Sequence, residues 1–296
     1  MPARFRSAAL LWLAACAAPP ADLDALVETS LGAIRVRSAG VGPDLVLLHG
    51  LGDSGLTWHR IEAPLRAAGY RVHVVDALGA GGSSRPRDGR YDLAAHATRL
   101  HEVLVQRGID RAVLIGNSLG GSTALVYAME HRERVAALIL LAPAAWAKGG
   151  WTGGTLWRFP DLIESVMDRV PPRLIARVAL LANFGNPLRI TEELVLRYAA
   201  ELAHEGTVAA YVAQQQQVIP DAATLDRWTS GYGSLAVPTL VFWGTRDRIL
   251  DPAMGERLVA VLPSARLVRL PGIGHVPQLE DPDPVLDELL AFLASL

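Results

Sequence analysis

The segment RAVLIGNSLGG, residues 111–121, constrains the fold of this chain more than any other. It begins as a short β-rich apolar run and ends in a cluster of small residues that opens an apolar helical pattern over 119–130. Runs of the same β-rich kind recur at 44–49, 71–76, 135–141, 238–243 and 265–270. Such continuous apolarity suits strands buried on both faces. Helical periodicity fills the intervals at 56–68, 93–107 and 254–262, with a last amphipathic stretch at 285–296. Strand and helix in repetition predict an α/β fold, a mostly parallel central sheet with helices on both faces. Residues 27–37 read as an antiparallel hairpin ahead of it.

The alternation stops between 143 and 236, where helical signals at 161–170, 192–204 and 208–217 appear without a convincing strand. A connection that long must carry its own structure. It is read as a helical cap inserted into a core of 27–142 and 237–296. Trp146, Trp151, Trp157 and Phe159 cluster where this cap begins and are assigned to its core.

With 51% hydrophobic and 20% charged residues, the 296-residue chain has material for one large core with a subdomain. Its net charge is −2 without a like-charged run, so no nucleic-acid partner is expected. The one cysteine excludes an internal disulfide framework and a Cys-rich metal site. That cysteine ends the opening MPARFRSAALLWLAAC, in which Arg4 and Arg6 precede an apolar run too short to span a bilayer. Residues 1–15 are read as an export signal and 16–26 as a linker. Leu13-Ala14-Ala15-Cys16 resembles the lipobox of bacterial lipoproteins, which implies cleavage before Cys16 and its lipidation. The expectation is an exported protein tethered to a bacterial membrane, facing the periplasm or the exterior. An ordinary signal cut near Ala17 and an uncleaved anchor are the alternatives.

Gly116-x-Ser118-x-Gly120 falls where a strand gives way to a helix, the setting of a nucleophile elbow. A serine in so tight a turn tolerates only small neighbours two positions away. The helix it opens presents N–H groups to a developing oxyanion. A serine hydroxyl needs a base, and the base needs an orienting acid. Of the histidines after Ser118, His131 ends a helical pattern and His204 lies in a polar stretch. His275, in LPGIGHVPQLEDP just after the last strand, is the base by elimination and position. Asp247 follows the preceding strand in VFWGTRDRILDP, and Asp251 stands four residues later. The expected roles are orienting acid for Asp247 and helix cap for Asp251.

HGLG, DALGAGGSS, GNSLGG, WGTRD and GHVPQLEDP together resemble the successive motifs of the α/β-hydrolase superfamily over 27–296. Within it the chain is most similar to capped bacterial serine esterases and lipases and to meta-cleavage-product hydrolases. Two departures are Asp76-Ala77-Leu78-Gly79, where relatives often have D-x-P-G, and Asp251, where they often carry proline. The resemblance implies that the N–H groups of Leu51 and Leu119 form the oxyanion hole. It also weighs against a rival reading, kept as an alternative, of LVLLHGLGDSGLTWHR, in which Gly50, Gly52 and Gly55 spell G-x-G-x-x-G and Asp76 sits where a dinucleotide-binding acid belongs. That reading leaves Ser118, Asp247 and His275 as coincidences. The hydrolase reading uses both sets, with His49 ordering its loop and Asp76 stabilising the DALGAGGSS turn.

The expected activity is cofactor-independent hydrolysis of small apolar carboxylic esters through an acyl-enzyme. The nearest alternative, a carbon–carbon hydrolase, would use the same residues and need a cation such as Arg158, Arg177 or Arg189 for a substrate carboxylate. A non-catalytic surface lipoprotein or a dinucleotide-binding protein is the reading of another class. No metal is expected: His96 and His101 are badly spaced for one helix face, and His59 and His73 have no partner nearby in sequence.

Overall fold

The computed structural model describes residues 22–146 and 159–296. Residues 1–15, Cys16, Trp151, Trp157 and Arg158 lie outside this range. Eight strands form one sheet: β1 Leu23–Val27, β2 Ile34–Ala39, β3 Asp44–Leu48, β4 Arg71–Val75, β5 Ala112–Asn117, β6 Val135–Leu141, β7 Thr239–Gly244 and β8 Ala265–Leu270. Their spatial order is β1-β2-β4-β3-β5-β6-β7-β8. From β4 to β8 the neighbours are parallel, and β1 and β2 add an antiparallel edge.

The continuous apolar runs are explained by burial on both sides. Along β3, Leu45 and Leu47 join one core layer while Val46 and Leu48 join the other. β7 does the same with Leu240 and Phe242 against Val241 and Trp243. One face is covered by α1 Glu62–Ala67 and α11 Pro282–Leu293, through Leu65, Val285, Leu289 and Leu293. The other is covered by α2 Leu93–Gln106, α3 Leu119–Glu130 and α9 Ala253–Val261. Burying each large aliphatic side chain contributes about 1.5–3 kcal/mol, so a polar residue at any of these positions opposes the fold.

Between β6 and β7 lie α4 Pro160–Met167, α5 Pro172–Asn183, α6 Glu192–Leu202, α7 Thr207–Gln217 and α8 Ala222–Gly231. Ala176 and Leu180 of α5, Phe184 just after it, and Leu194 and Val195 of α6 form a separate small core with Val276 and Leu279, the latter in α10 Pro277–Glu280.

Three expectations need correction. The helix read at 56–68 is a 3-10 turn, Gly55–Trp58, followed by a short α1. Pro64 has no N–H to give Arg60, so the helix begins at Glu62, where Pro64 sits in the first turn and needs no partner. The hairpin begins earlier than 27, because residues 23–26, read as linker, pair with β2 as an edge strand. Phe159 is 56% exposed and belongs to no core, whereas Trp146 is buried edge-on against Tyr232 with Arg257 over its ring.

Candidate active site

β5 ends at Asn117, and Ser118 turns the chain into α3 with φ 51° and ψ −113°. A non-glycine residue in that region costs about 1–3 kcal/mol and persists only where the surroundings impose it. Here they do. A Cβ on Gly116 would fall 2.5 Å from the Gly120 carbonyl, and one on Gly120 would fall 2.1 Å from Leu48 O. The turn therefore packs backbone on backbone, and the Ser118 N–H is spent on Leu141 O at 2.9 Å. Among the described residues no hydrogen bond is made by the N–H groups of Leu51 and Leu119. Leu51 lies in the loop after β3, and Leu119 is the first residue of α3.

His275 and Asp247 meet. His275 Nδ1 lies 2.8 Å from Asp247 Oδ2, and both side chains are buried. The second Asp247 oxygen accepts the N–H groups of Ile249 and Leu250, which anchors the carboxylate. Asp251, by contrast, is exposed and accepts the Ala253 N–H at the start of α9.

Two residues that sequence reasoning missed hold this arrangement together. Asn117 Nδ2 donates to Leu141 O and to His275 O, joining the elbow to the histidine loop. Glu280, 2% exposed, accepts the N–H groups of Gly274, Gly185 and Asn186. The His275 N–H donates to Asn183 O at 2.7 Å. The histidine loop is thus tied to the end of α5. Glu280 stands in GHVPQLEDP, but two of its three partners are more than ninety residues away, beyond any local pattern.

The loop after β3 is ordered as expected. The Ala77 N–H can only donate, so His49 Nε2 accepts it and Nδ1–H donates to Gly50 O. Asp76 Oδ1 takes the Gly55 N–H and Oδ2 the Gly82 N–H, linking that loop to the DALGAGGSS turn. Both groups have structural partners and neither lines the main cavity. His73 has partners too, Ser38 Oγ and Asp44 Oδ1, each at 2.8 Å.

Ser118, His275, Leu51 and Asn117 line one cavity of about 470 Å³. Its walls come from the β3 loop and from α4 to α7. Met167, Ile175, Ala179 and Leu180 make it largely apolar, and Asp53 and Glu201 are the carboxylates in it. Burial pushes the Asp53 carboxyl up, opposed by hydrogen bonds from the Ser54 N–H and the Tyr198 hydroxyl. The Tyr198 hydroxyl, 3.0 Å from Asp53 Oδ1, is raised as well, first by burial and then by that acid. No group of three metal-ligating side chains occurs among the described residues.

A family model described as the alpha/beta hydrolase fold matches residues 43–282. Lipase 1 of Psychrobacter immobilis is 29% identical over 260 residues, covering 86% of this chain and 78% of the relative. The 2-hydroxy-6-oxo-6-phenylhexa-2,4-dienoate hydrolase of Burkholderia cepacia is 31% identical over 273 residues, covering 88% and 91%. The crystal structure of a membrane phospholipase A superposes with a TM-score of 0.73 at 28% identity, covering 93% of this chain and 86% of that one. The chain belongs to the α/β-hydrolase fold family and is a hydrolase.

Proposed function

We propose that this protein is a serine hydrolase of carboxylic esters, with Ser118 as nucleophile, His275 as proton carrier and Asp247 as the acid that orients it. The observation that carries the reading is the 2.8 Å contact between His275 Nδ1 and Asp247 Oδ2, beside an apolar cavity lined by both His275 and the strained Ser118. With Nδ1–H given to Asp247, His275 Nε2 is left as the basic nitrogen.

Ser118 Oγ bonds to the ester carbonyl carbon, its proton passes to His275 Nε2, and the carbonyl π pair moves to oxygen. The N–H groups of Leu51 and Leu119 donate to that oxyanion. Collapse re-forms the carbonyl and breaks the bond to the alkoxy oxygen, which receives the proton from His275. Water then gives a proton to His275 and attacks the acyl carbon. Ser118 Oγ departs with that proton, and the carboxylic acid is released.

The dienoate hydrolase relative makes carbon–carbon cleavage the second reading, and the lining of the cavity favours the ester reading over it. A substrate carboxylate needs a cation, and no lysine or arginine lines the cavity among the described residues. Arg177 pairs with Glu192 and Arg189 with Asp281 instead. The decisive experiment sets p-nitrophenyl esters of graded chain length beside a meta-cleavage dienoate. Ester turnover and fluorophosphonate labelling are expected in the wild type and are expected to vanish in Ser118→Ala. Turnover of the dienoate alone would replace the ester reading, and turnover of neither would favour a non-catalytic role.

Export and lipid attachment at Cys16 are proposed on the opening sequence, with its basic start, short apolar run and Leu13-Ala14-Ala15-Cys16. Lipidation would hold the chain at a membrane through its acyl groups. Metabolic labelling with palmitate is expected in the wild type and absent in Cys16→Ser, with hydrolysis equal in the two. An unlabelled wild type would reduce this to ordinary export.

A further inference from the structure

The cavity is chemically divided. α4 and α5 line it with Met167, Ile175, Ala179 and Leu180, a wall suited to an acyl chain. The loop after β3, with α6 and α7, contributes Asp53, Tyr198, Glu201, Tyr211 and Gln215. Asp53 is satisfied by the Ser54 N–H and the Tyr198 hydroxyl. Among the described residues two other acceptors are not. Gln215, 8% exposed, gives its Nε2–H to Tyr211 Oη at 2.7 Å, which leaves Oε1 buried without a partner. Glu201 Oε2 is also buried without a partner. Arg85 feels the Glu201 charge, yet its N–H groups go to Thr207 Oγ1 and to the carbonyls of Ser83 and Gly81.

A buried acceptor that lacks a donor costs free energy that a ligand's donor recovers. The polar wall also begins close to the reaction centre. A Cβ on Gly52 would fall 2.7 Å from the Tyr211 ring, and Gly52 follows Leu51, the proposed oxyanion donor. We propose that this wall is a subsite for a leaving alcohol that keeps free hydroxyl groups, a partly acylated polyol, with Glu201 and Gln215 accepting from those hydroxyls. The proposal rests on the ester reading. An anionic head would meet Asp53 and Glu201 with no lining cation among the described residues to balance it. A plain alkyl alcohol would leave both acceptors unpaired, and a fully acylated polyol has no hydroxyl left to give.

The test compares kcat/KM for 2,3-dihydroxypropyl butyrate and propyl butyrate, which share acyl group and carbon skeleton and differ only in hydroxyls. p-Nitrophenyl butyrate reports ester cleavage independently. The wild type is expected to favour the dihydroxypropyl ester by about 10- to 100-fold. In the Glu201→Met, Gln215→Met double variant the ratio is expected to fall to within about threefold of unity, through the KM of the dihydroxypropyl ester. Glu201→Gln keeps an acceptor in place and is expected to retain most of the preference. Equal rates for the two butyrates in the wild type, with p-nitrophenyl butyrate still cleaved, overturn the subsite and leave the ester reading standing. Hydrolysis of none of the three removes the ester reading itself. A double variant that melts like the wild type and keeps the preference overturns the roles of Glu201 and Gln215.

Discussion

Asp247 and Asp251 follow the same strand, yet they face different partners and predict different losses. Asp247 holds His275 Nδ1 with one oxygen and two backbone N–H groups with the other. Asn at this position can turn its amide toward Nδ1 and favour the wrong tautomer, a loss on the order of 10⁴ in turnover for a serine triad. Asp247→Asn is therefore expected to fold and to be almost inactive when assayed with p-nitrophenyl butyrate. Asp251 caps α9 from an exposed position. Asp251→Asn is expected to keep its turnover, with a stability loss of no more than about 1 kcal/mol, read as a melting shift of about 2–4 °C or less. The reverse pattern would move the orienting acid to Asp251.

At the scale of elements, the short α10 acts as a clasp. Its last residue, Glu280, reaches back to Gly274 beside His275 and across to Gly185 and Asn186 beyond α5. Glu280→Ala strands three N–H groups, two of them in buried hydrogen bonds, at about 1–3 kcal/mol each. Denaturant titration is expected to show a loss of about 3 kcal/mol or more. Turnover should fall with it, because the histidine loop loses its tie to the helices above the sheet. Glu280→Gln, which keeps one acceptor, is expected to lose less of both. If Glu280→Ala matched the wild type in stability and rate, the clasp would have no such role.

For the whole molecule, the buried histidines set the acid limit. His96 is pushed down to about 3, chiefly by burial and then by the Arg99 charge. His101 and His131, stacked 4.0 Å apart, are lowered by burial as well. Between the ordinary histidine value near 6.5 and the lowered one, the unfolded chain binds a proton that the folded chain refuses. Stability should fall as pH drops below about 6.5 and should be flat from this source above it. His96→Gln removes one such group. From pH 7 to 4.5 it is expected to lose less stability than the wild type, by up to about 2–3 kcal/mol for one group. Equal slopes in denaturant titrations at the two pH values would rule out His96 as a source of the acid sensitivity.

Local sequence determined the strands of the parallel sheet, because a run such as LVLL can satisfy apolar side chains on alternate faces only if both faces are covered. It determined the turn at Ser118 as well, since glycines at 116 and 120 are the residues that let strand and helix backbones touch there. It left the helix at 56–68 too long, although Pro64 carried the signal, and it read the edge strand at 23–26 as linker because β1 is only half buried. α5 and α8 went unread; α5 opens on Pro171-Pro172, a pair that serves equally as a stop and as a first turn. What only the tertiary structure decided are the contacts whose partners lie far apart in the chain. Asn117 meets the His275 carbonyl and Glu280 meets Gly185, across separations of 158 and 95 residues. The division of the cavity between an apolar wall and two unpaired acceptors belongs to the same kind, because each wall is assembled from elements whose sequences carry no record of one another. Periodicity reports which face of an element is apolar, and only the packed chain reports which polar atoms are left inside without a partner.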